Sequence, residues 1–270
     1  MRDIISLAGS DPPRVRIDPL EDPALIVFTR RGVEKSKGAM LTHYNLTSNT
    51  LQSLPWLLDS IGKEMNRNAS MLIATPLYRL HGHWAIRTAV FWGLKMVLIS
   101  DPNDTNTILK LLKEHSPFIV HLNTNQYSQL VKQKIGRINT IFICSGSLLP
   151  PEVSKEFKTL TGMPIIQTYG YAETAPITHI NFSDLSKIKG GLPIEKTGSI
   201  GIPVVNTEAK LIDNSSGQEV AHGSAGELYI RGPQVMKGYW PTTGEGLVDD
   251  WLPTGDFCRM DDDGYFFLSD

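Results

Sequence analysis

The sequence predicts an α/β fold: a mainly parallel sheet with packed helices, followed by a small antiparallel, barrel-like β subdomain. Three observations carry this. Short apolar runs alternate with amphipathic stretches of helical length between Ala24 and Thr168. Helical stretches cease near Gly190-Gly191. The tail beyond is broken by hairpin-type turns at Asp213-Asn214-Ser215-Ser216-Gly217 and Asp261-Asp262-Asp263-Gly264.

The elements follow in order. Residues 1–22 are polar and proline-punctuated and read as a lead-in. Residues 23–190 form the α/β core. Its strands are expected at Ala24–Phe28, Met71–Ala74, Lys95–Ser100, Phe118–Leu122, Thr140–Cys144 and Ile165–Thr168. Each is a short apolar run flanked by Gly, Pro, Asn or Asp, the signature of a buried strand. Helices are expected at Tyr44–Leu58, Thr105–His115, Tyr127–Lys134 and Pro151–Thr161, with Thr105 and Pro151 as starts and Gly162 as a stop. Residues 191–270 form the β subdomain, with strands at Gly198–Ile200, Glu208–Asp213, Gly226–Arg231 and Tyr265–Ser269.

Composition narrows the function classes. The 270 residues are 41% hydrophobic and 20% charged with a net charge of −2, an ordinary globular balance. There is no basic run to hold nucleic acid. No apolar run is long enough to span a bilayer, and Met1–Pro23 lacks the apolar centre of a secretory signal, so a cytoplasmic setting is expected. Cys144 and Cys258 form neither a disulfide framework nor a metal site.

Three stretches bear chemistry. Tyr169-Gly170-Tyr171-Ala172-Glu173-Thr174 follows the last core strand, so it lies at a strand's carboxyl end, where open α/β sheets bind ligands. Gly170 permits a tight turn and close backbone approach. Glu173 is suited to magnesium on a nucleotide phosphate, and Tyr171 to stacking on a base. A solvated turn with a surface glutamate is the plainer reading. Trp251-Leu252-Pro253-Thr254-Gly255-Asp256 puts a carboxylate on another turn; one carboxylate accepts both hydroxyls of a ribose diol, although an aspartate also caps its own turn. Ser145-Gly146-Ser147-Leu148-Leu149-Pro150 follows a strand and presents small residues that let backbone bracket an adenine ring or an acyl group; a plain strand-to-helix turn reads the same way.

Together these stretches resemble the adenylate-forming superfamily: acyl-CoA synthetases, luciferases and the adenylation domains of peptide synthetases. Gly226–Pro233 with Lys237-Gly238-Tyr239-Trp240 resembles a structural motif of that superfamily's β subdomain. The run from Trp251 through Asp263-Gly264-Tyr265 is most similar to the fatty-acyl-CoA synthetase pattern. Ala172 stands where the superfamily has Thr. The phosphate loop departs further: within Phe28–Gly38, Arg30 and Arg31 replace Ser and Gly, Val33 replaces Thr and Glu34 replaces Gly, while Lys35–Gly38 matches. Glycines let backbone N–H groups face a polyphosphate; Glu34 repels it.

The resemblance implies an AMP-forming acyl-CoA ligase core, in which a carboxylate attacks ATP and CoA thiol then displaces AMP. It implies ATP or AMP, Mg2+ and CoA as ligands. Glu173 holds the metal and, with Lys37, is catalytic. Thr29, Gly146, Ser147, Leu148, Tyr169, Gly170, Tyr171, Thr174 and Asp256 hold nucleotide. Pro76-Leu77-Tyr78-Arg79-Leu80-His81-Gly82 resembles a segment bordering the acyl pocket and offers His81 as a pocket residue. The partner implied is a small carboxylic acid of fatty-acyl type. The superfamily's N-terminal region and mobile C-terminal domain are not represented, so a complementary domain or a homo-oligomer is expected, and this chain alone is expected to catalyse weakly or not at all. Two alternatives stand beside it: a non-catalytic adenylate- or acyl-binding relative, and a fragment of a larger ligase.

Overall fold

The computed structural model describes residues 15–29, 36–53, 68–181 and 196–269. Expectations falling on residues 1–14, on Arg30–Lys35 of the phosphate loop, on 54–58 of the first helix, on the Gly190-Gly191 boundary and on Asp270 lie outside them. No helix among the described residues is long and apolar enough to cross a membrane.

The fold is α/β. Strands β3 (Ser70–Ile73), β4 (Lys95–Leu98), β5 (Ile119–Asn123), β6 (Ile141–Ser145) and β7 (Ile165–Tyr169) run parallel in the order β4-β3-β5-β6-β7. The sheet continues antiparallel through β8 (His179–Asn181), β9 (Ser199–Pro203), β14 (Phe266–Leu268), β13 (Leu252–Met260), β11 (Ala225–Arg231) and β10 (Glu208–Ile212). The inner parallel strands β3, β5, β6 and β7 bury both faces, while the edge strand β4 is largely exposed. Leu72, Val120, Leu122 and Phe142 pack with Tyr127 and Phe157 on one side, and Met71, Ile73, Ile119 and Ile143 with Trp84 on the other. Two-sided burial is why these strands read as unbroken apolar runs.

Helix boundaries follow local chemistry. Helix α3 (Thr105–His115) is capped by Asp104, whose carboxylate accepts from the N–H groups of Asn106 and Thr107. Helix α4 (Thr124–Lys132) begins three residues before the expected Tyr127, because Asn123 and Gln126 form a reciprocal capping box. Helix α5 (Pro151–Thr161) starts on proline and stops at Gly162 in the left-handed region, φ 77°.

Three features differ from expectation. The first strand, β1 (Pro23–Thr29), lies outside the parallel sheet. It forms an antiparallel hairpin with β2 (Lys37–Thr42), to which β12 (Gly238–Tyr239) adds a third strand. Helix α2 (Leu80–Trp92) was not anticipated: Arg79 at its start supplies no side-chain cap, so the polar signal of a helix N-terminus is missing. The buried face of α1 (His43–Ser53) is polar, comprising Asn45, Asn49, Thr50, Gln52 and Ser53 rather than an apolar stripe.

Candidate functional site

The site is built at the carboxyl ends of neighbouring parallel strands, which lie about 4.8 Å apart. The β6 end carries Ser145–Leu148 and the β7 end carries Tyr169–Thr174. Gly146 has φ 104°, and a Cβ added there meets no atom of the described residues within 4 Å, so among them this loop borders open space. The Ser147 carbonyl accepts from Thr124 Oγ1 at 2.9 Å, and Leu148 is half-exposed. Gly170 is constrained differently. Its φ is 150°, and an added Cβ would fall 2.1 Å from the Pro176 carbonyl oxygen. Only glycine allows β7 to turn so tightly against the returning chain.

Ala172–Thr174 then forms a single 3-10 turn. The Thr174 hydroxyl is spent within it, accepting from Tyr171 N at 3.0 Å and donating to the Tyr171 carbonyl at 3.1 Å. From outside, Asn49 of α1 clamps Ile177 through both its amide groups, and Arg87 of α2 donates to the Ala175 carbonyl at 2.9 Å. Burial draws the Arg87 guanidinium down to about 10.

Asp256 does not sit on a simple turn, as the sequence suggested, but inside the long strand β13. Between Pro253 and Phe257 the register with β11 slips at Gly255, φ 68°, and the bulge turns the carboxylate toward β7. Asp256 Oδ2 accepts from Tyr169 Oη at 2.6 Å and from Tyr171 Oη, and the two hydroxyls lie 2.5 Å apart. Burial, followed by the neighbouring Tyr171 and Asp256, raises the Tyr169 phenol far above its usual range, so it stays a donor. The Tyr-Gly-Tyr stretch and the Thr-Gly-Asp stretch, 85 positions apart between Tyr171 and Asp256, thus meet in space.

Glu173 is fully buried. Its Oε1 accepts from Tyr239 Oη at 2.7 Å, and among the described residues its Oε2 has no partner. A carboxylate oxygen buried without a hydrogen-bond partner is costly. It fits a cation that takes one carboxylate here and its remaining ligands from water or phosphate. Among the described residues no group of three or more His, Cys, Asp or Glu side chains forms a closed metal cage. Above the Tyr239 ring, 5.0 Å from its centroid, lies the Lys37 ammonium, paired at 2.9 Å with Glu245. Thr29 is the cross-strand partner of Lys37, so the two close the ends of the hairpin that carries the phosphate-loop stretch.

His81 lies on the first turn of α2. Its ring stacks on His121, centroids 5.9 Å apart and planes within 18°. His121 bridges Thr75 Oγ1 and Ser145 Oγ, each at 2.9 Å. Burial, then the Arg79 charge, lowers His81 to about 4; burial, then His81, lowers His121 to about 3. Both rings are therefore neutral at pH 7. A cavity of about 360 Å3 lies at the ends of β3 and β4, lined by Thr75–Tyr78, Leu98 and Asn103 among others. His81 is not part of its wall.

The sequence did not single out Tyr239, Glu245, Arg87 or His121. Tyr239 was visible only as part of a fold motif, and its bond to Glu173 depends on β12 joining β2.

Residues 4–240 match the family model described as AMP-binding enzyme, and the chain belongs to that family. It is 31% identical over 268 residues to a long-chain-fatty-acid–CoA ligase of Bacillus subtilis strain 168, covering 94% of this chain and 45% of the relative. It is 33% identical over 262 residues to the enzyme of the same description from Salmonella typhimurium, covering 93% and 44%. Among solved structures, apo MatB from Rhodopseudomonas palustris superposes with a TM-score of 0.81 at 25% identity, covering 99% of this chain and 51% of that one. The chain thus spans about half the length of the relatives it matches.

Proposed function

We propose that this chain is the nucleotide-binding core of an AMP-forming acid–thiol ligase of the acyl-CoA type. The observation that carries this is the convergence of Tyr169, Tyr171 and Asp256, with the Oε2 of Glu173, unpartnered among the described residues, two residues farther along the same motif. A carboxylate flanked by two phenols suits a vicinal diol, so Asp256 would accept both ribose hydroxyls, displacing the tyrosines that now bond it. Tyr171 and the open loop Gly146–Leu148 would then border the adenine. Tyr169, Gly170 and Thr174 would hold the turn that presents these groups. Glu173 would hold magnesium, which offsets phosphate charge when bound. Lys37, with Thr29 beside it, would meet the phosphates.

In the complete reaction a carboxylic acid attacks the α-phosphate of ATP, giving acyl-AMP and pyrophosphate, and CoA thiol displaces AMP. The matched relatives' descriptions support a long-chain fatty acid as the substrate class, and we place His81 near its acyl group. A cytoplasmic setting, where ATP and CoA are available, accords with this. We divide the chain at residue 190 into a core and a β subdomain, the latter delivering Asp256.

Titration calorimetry with AMP tests the proposal. Binding that is lost in Asp256→Ala is expected; failure of the unaltered chain to bind AMP overturns it. The substituted phosphate loop, with Arg30, Arg31 and Glu34, favours a second reading in which the chain binds adenylate without catalysis. Carboxylate-dependent ATP–pyrophosphate exchange separates the two, since only a catalytic chain exchanges label.

A further inference from the structure

We propose that Glu245 sets this site's preference among phosphate ligands: its carboxylate stands on the Lys37 ammonium where a polyphosphate oxygen would stand. Nucleotide must displace it to reach that cation. The inference rests on the adenylate reading of Glu173 and Asp256, and names a residue that the reading leaves unused.

The geometry has three parts. Lys37 Nζ and Glu245 Oε1 are 2.9 Å apart, and both side chains are 40% exposed, so the pair is open to an incoming anion. The Lys37 ammonium lies over the face of Tyr239, whose hydroxyl donates to Glu173. The phosphate-binding cation and the metal-binding carboxylate therefore meet opposite parts of one side chain. Finally, the backbone delivers Glu245 to this place. Tyr239 N donates to the Glu245 carbonyl at 3.0 Å and Gly244 N to the Lys237 carbonyl at 2.8 Å, folding the turn back onto β12. Gly244 and Gly246, at φ 80° and 88°, flank the residue and permit that turn.

A half-exposed ion pair is weakly held. A monocarboxylate on Lys37 yields to the dense charge of a polyphosphate, whereas AMP, whose single phosphate is the one joined to the ribose, need not reach Lys37. Glu245 thus disfavours polyphosphate selectively, and its removal should tighten polyphosphate binding alone.

The test is titration calorimetry of the full chain and of Glu245→Gln with magnesium ATP, magnesium pyrophosphate and AMP. The substitution should tighten ATP and pyrophosphate about three-fold, the scale of one exposed ion pair, and leave AMP unchanged. Equal effects on ATP and AMP, or none on pyrophosphate, overturn the proposal. If AMP fails to bind the unaltered chain while pyrophosphate binds and still discriminates the variant, the adenylate reading falls and the role of Glu245 stands. Carbon-13 NMR of the glutamate carboxylates in the unaltered chain gives a check that needs no variant. The Glu245 resonance should shift on adding magnesium pyrophosphate and not on adding AMP; pyrophosphate bound with that resonance unmoved overturns the proposal.

Discussion

Glu173 and Asp256 bear opposite relations to their surroundings, and single substitutions should separate them. Asp256 is half-buried and accepts two phenolic hydrogen bonds, so it is paired already. Asp256→Asn keeps the shape but loses charge-assisted acceptance, worth about 1.5–3 kcal/mol. AMP affinity measured by calorimetry should fall roughly ten-fold or more. Glu173 keeps one buried oxygen without a partner among the described residues. Glu173→Gln should leave AMP affinity unchanged and abolish the gain in ATP affinity that magnesium confers, as read from titrations with and without the ion. Both carboxylates could be picked out from the sequence because each sits in a short, distinctive motif, although the strand setting of Asp256 could not. Tyr239 could not be picked out. Its role arises from a bond to a residue 66 positions away, and nothing in Lys237–Trp240 announces that partner.

At the scale of elements, two glycines test how the loops are built. Gly170→Ala places a methyl 2.1 Å from the Pro176 carbonyl and 3.0 Å from the Thr178 nitrogen, both backbone atoms that cannot swing aside. Urea unfolding should show a loss of more than about 2 kcal/mol, since backbone strain and a clash add. Gly146→Ala meets open space, so only the strain of φ 104° remains, about 1–3 kcal/mol. The capping aspartate gives a milder case: Asp104→Ala should cost about 1 kcal/mol by loss of the α3 N-cap, with no effect on nucleotide binding. Helices α3 and α5 match their expected limits because their caps are written in adjacent residues. Helix α2 escaped notice because it has no such cap, and β1 was misassigned because an apolar strand reads alike in a hairpin and in a parallel sheet.

For the whole molecule, the buried histidines govern acid stability. His121 and His179 are held down to about 3 by burial, His81 to about 4, against about 6.5 in an unfolded chain. Below 6.5 the unfolded state binds protons that the native state refuses, so the contribution of these rings is flat above that pH and falls as pH drops toward 3. For the fully buried pair the loss approaches about 1.4 kcal/mol per pH unit for each ring. Denaturation midpoints at pH 7.5 and pH 5 should differ accordingly, and His179→Gln should shrink the difference.

What the sequence by itself determined was most of what neighbours along the chain carry. The apolar runs specified buried strands, the prolines, glycines and capping residues marked most helix ends, and the motif stretches after β6 and β7 marked where those strands end in turns. Only the tertiary structure decided which of those turns meet. Asp256 reaches Tyr171 because one bulge in β13 rotates a carboxylate across the sheet, and Glu173 is buried because β12 completes a separate three-stranded sheet beside it. Such encounters depend on register and on long-range pairing, which are settled by how the whole core packs.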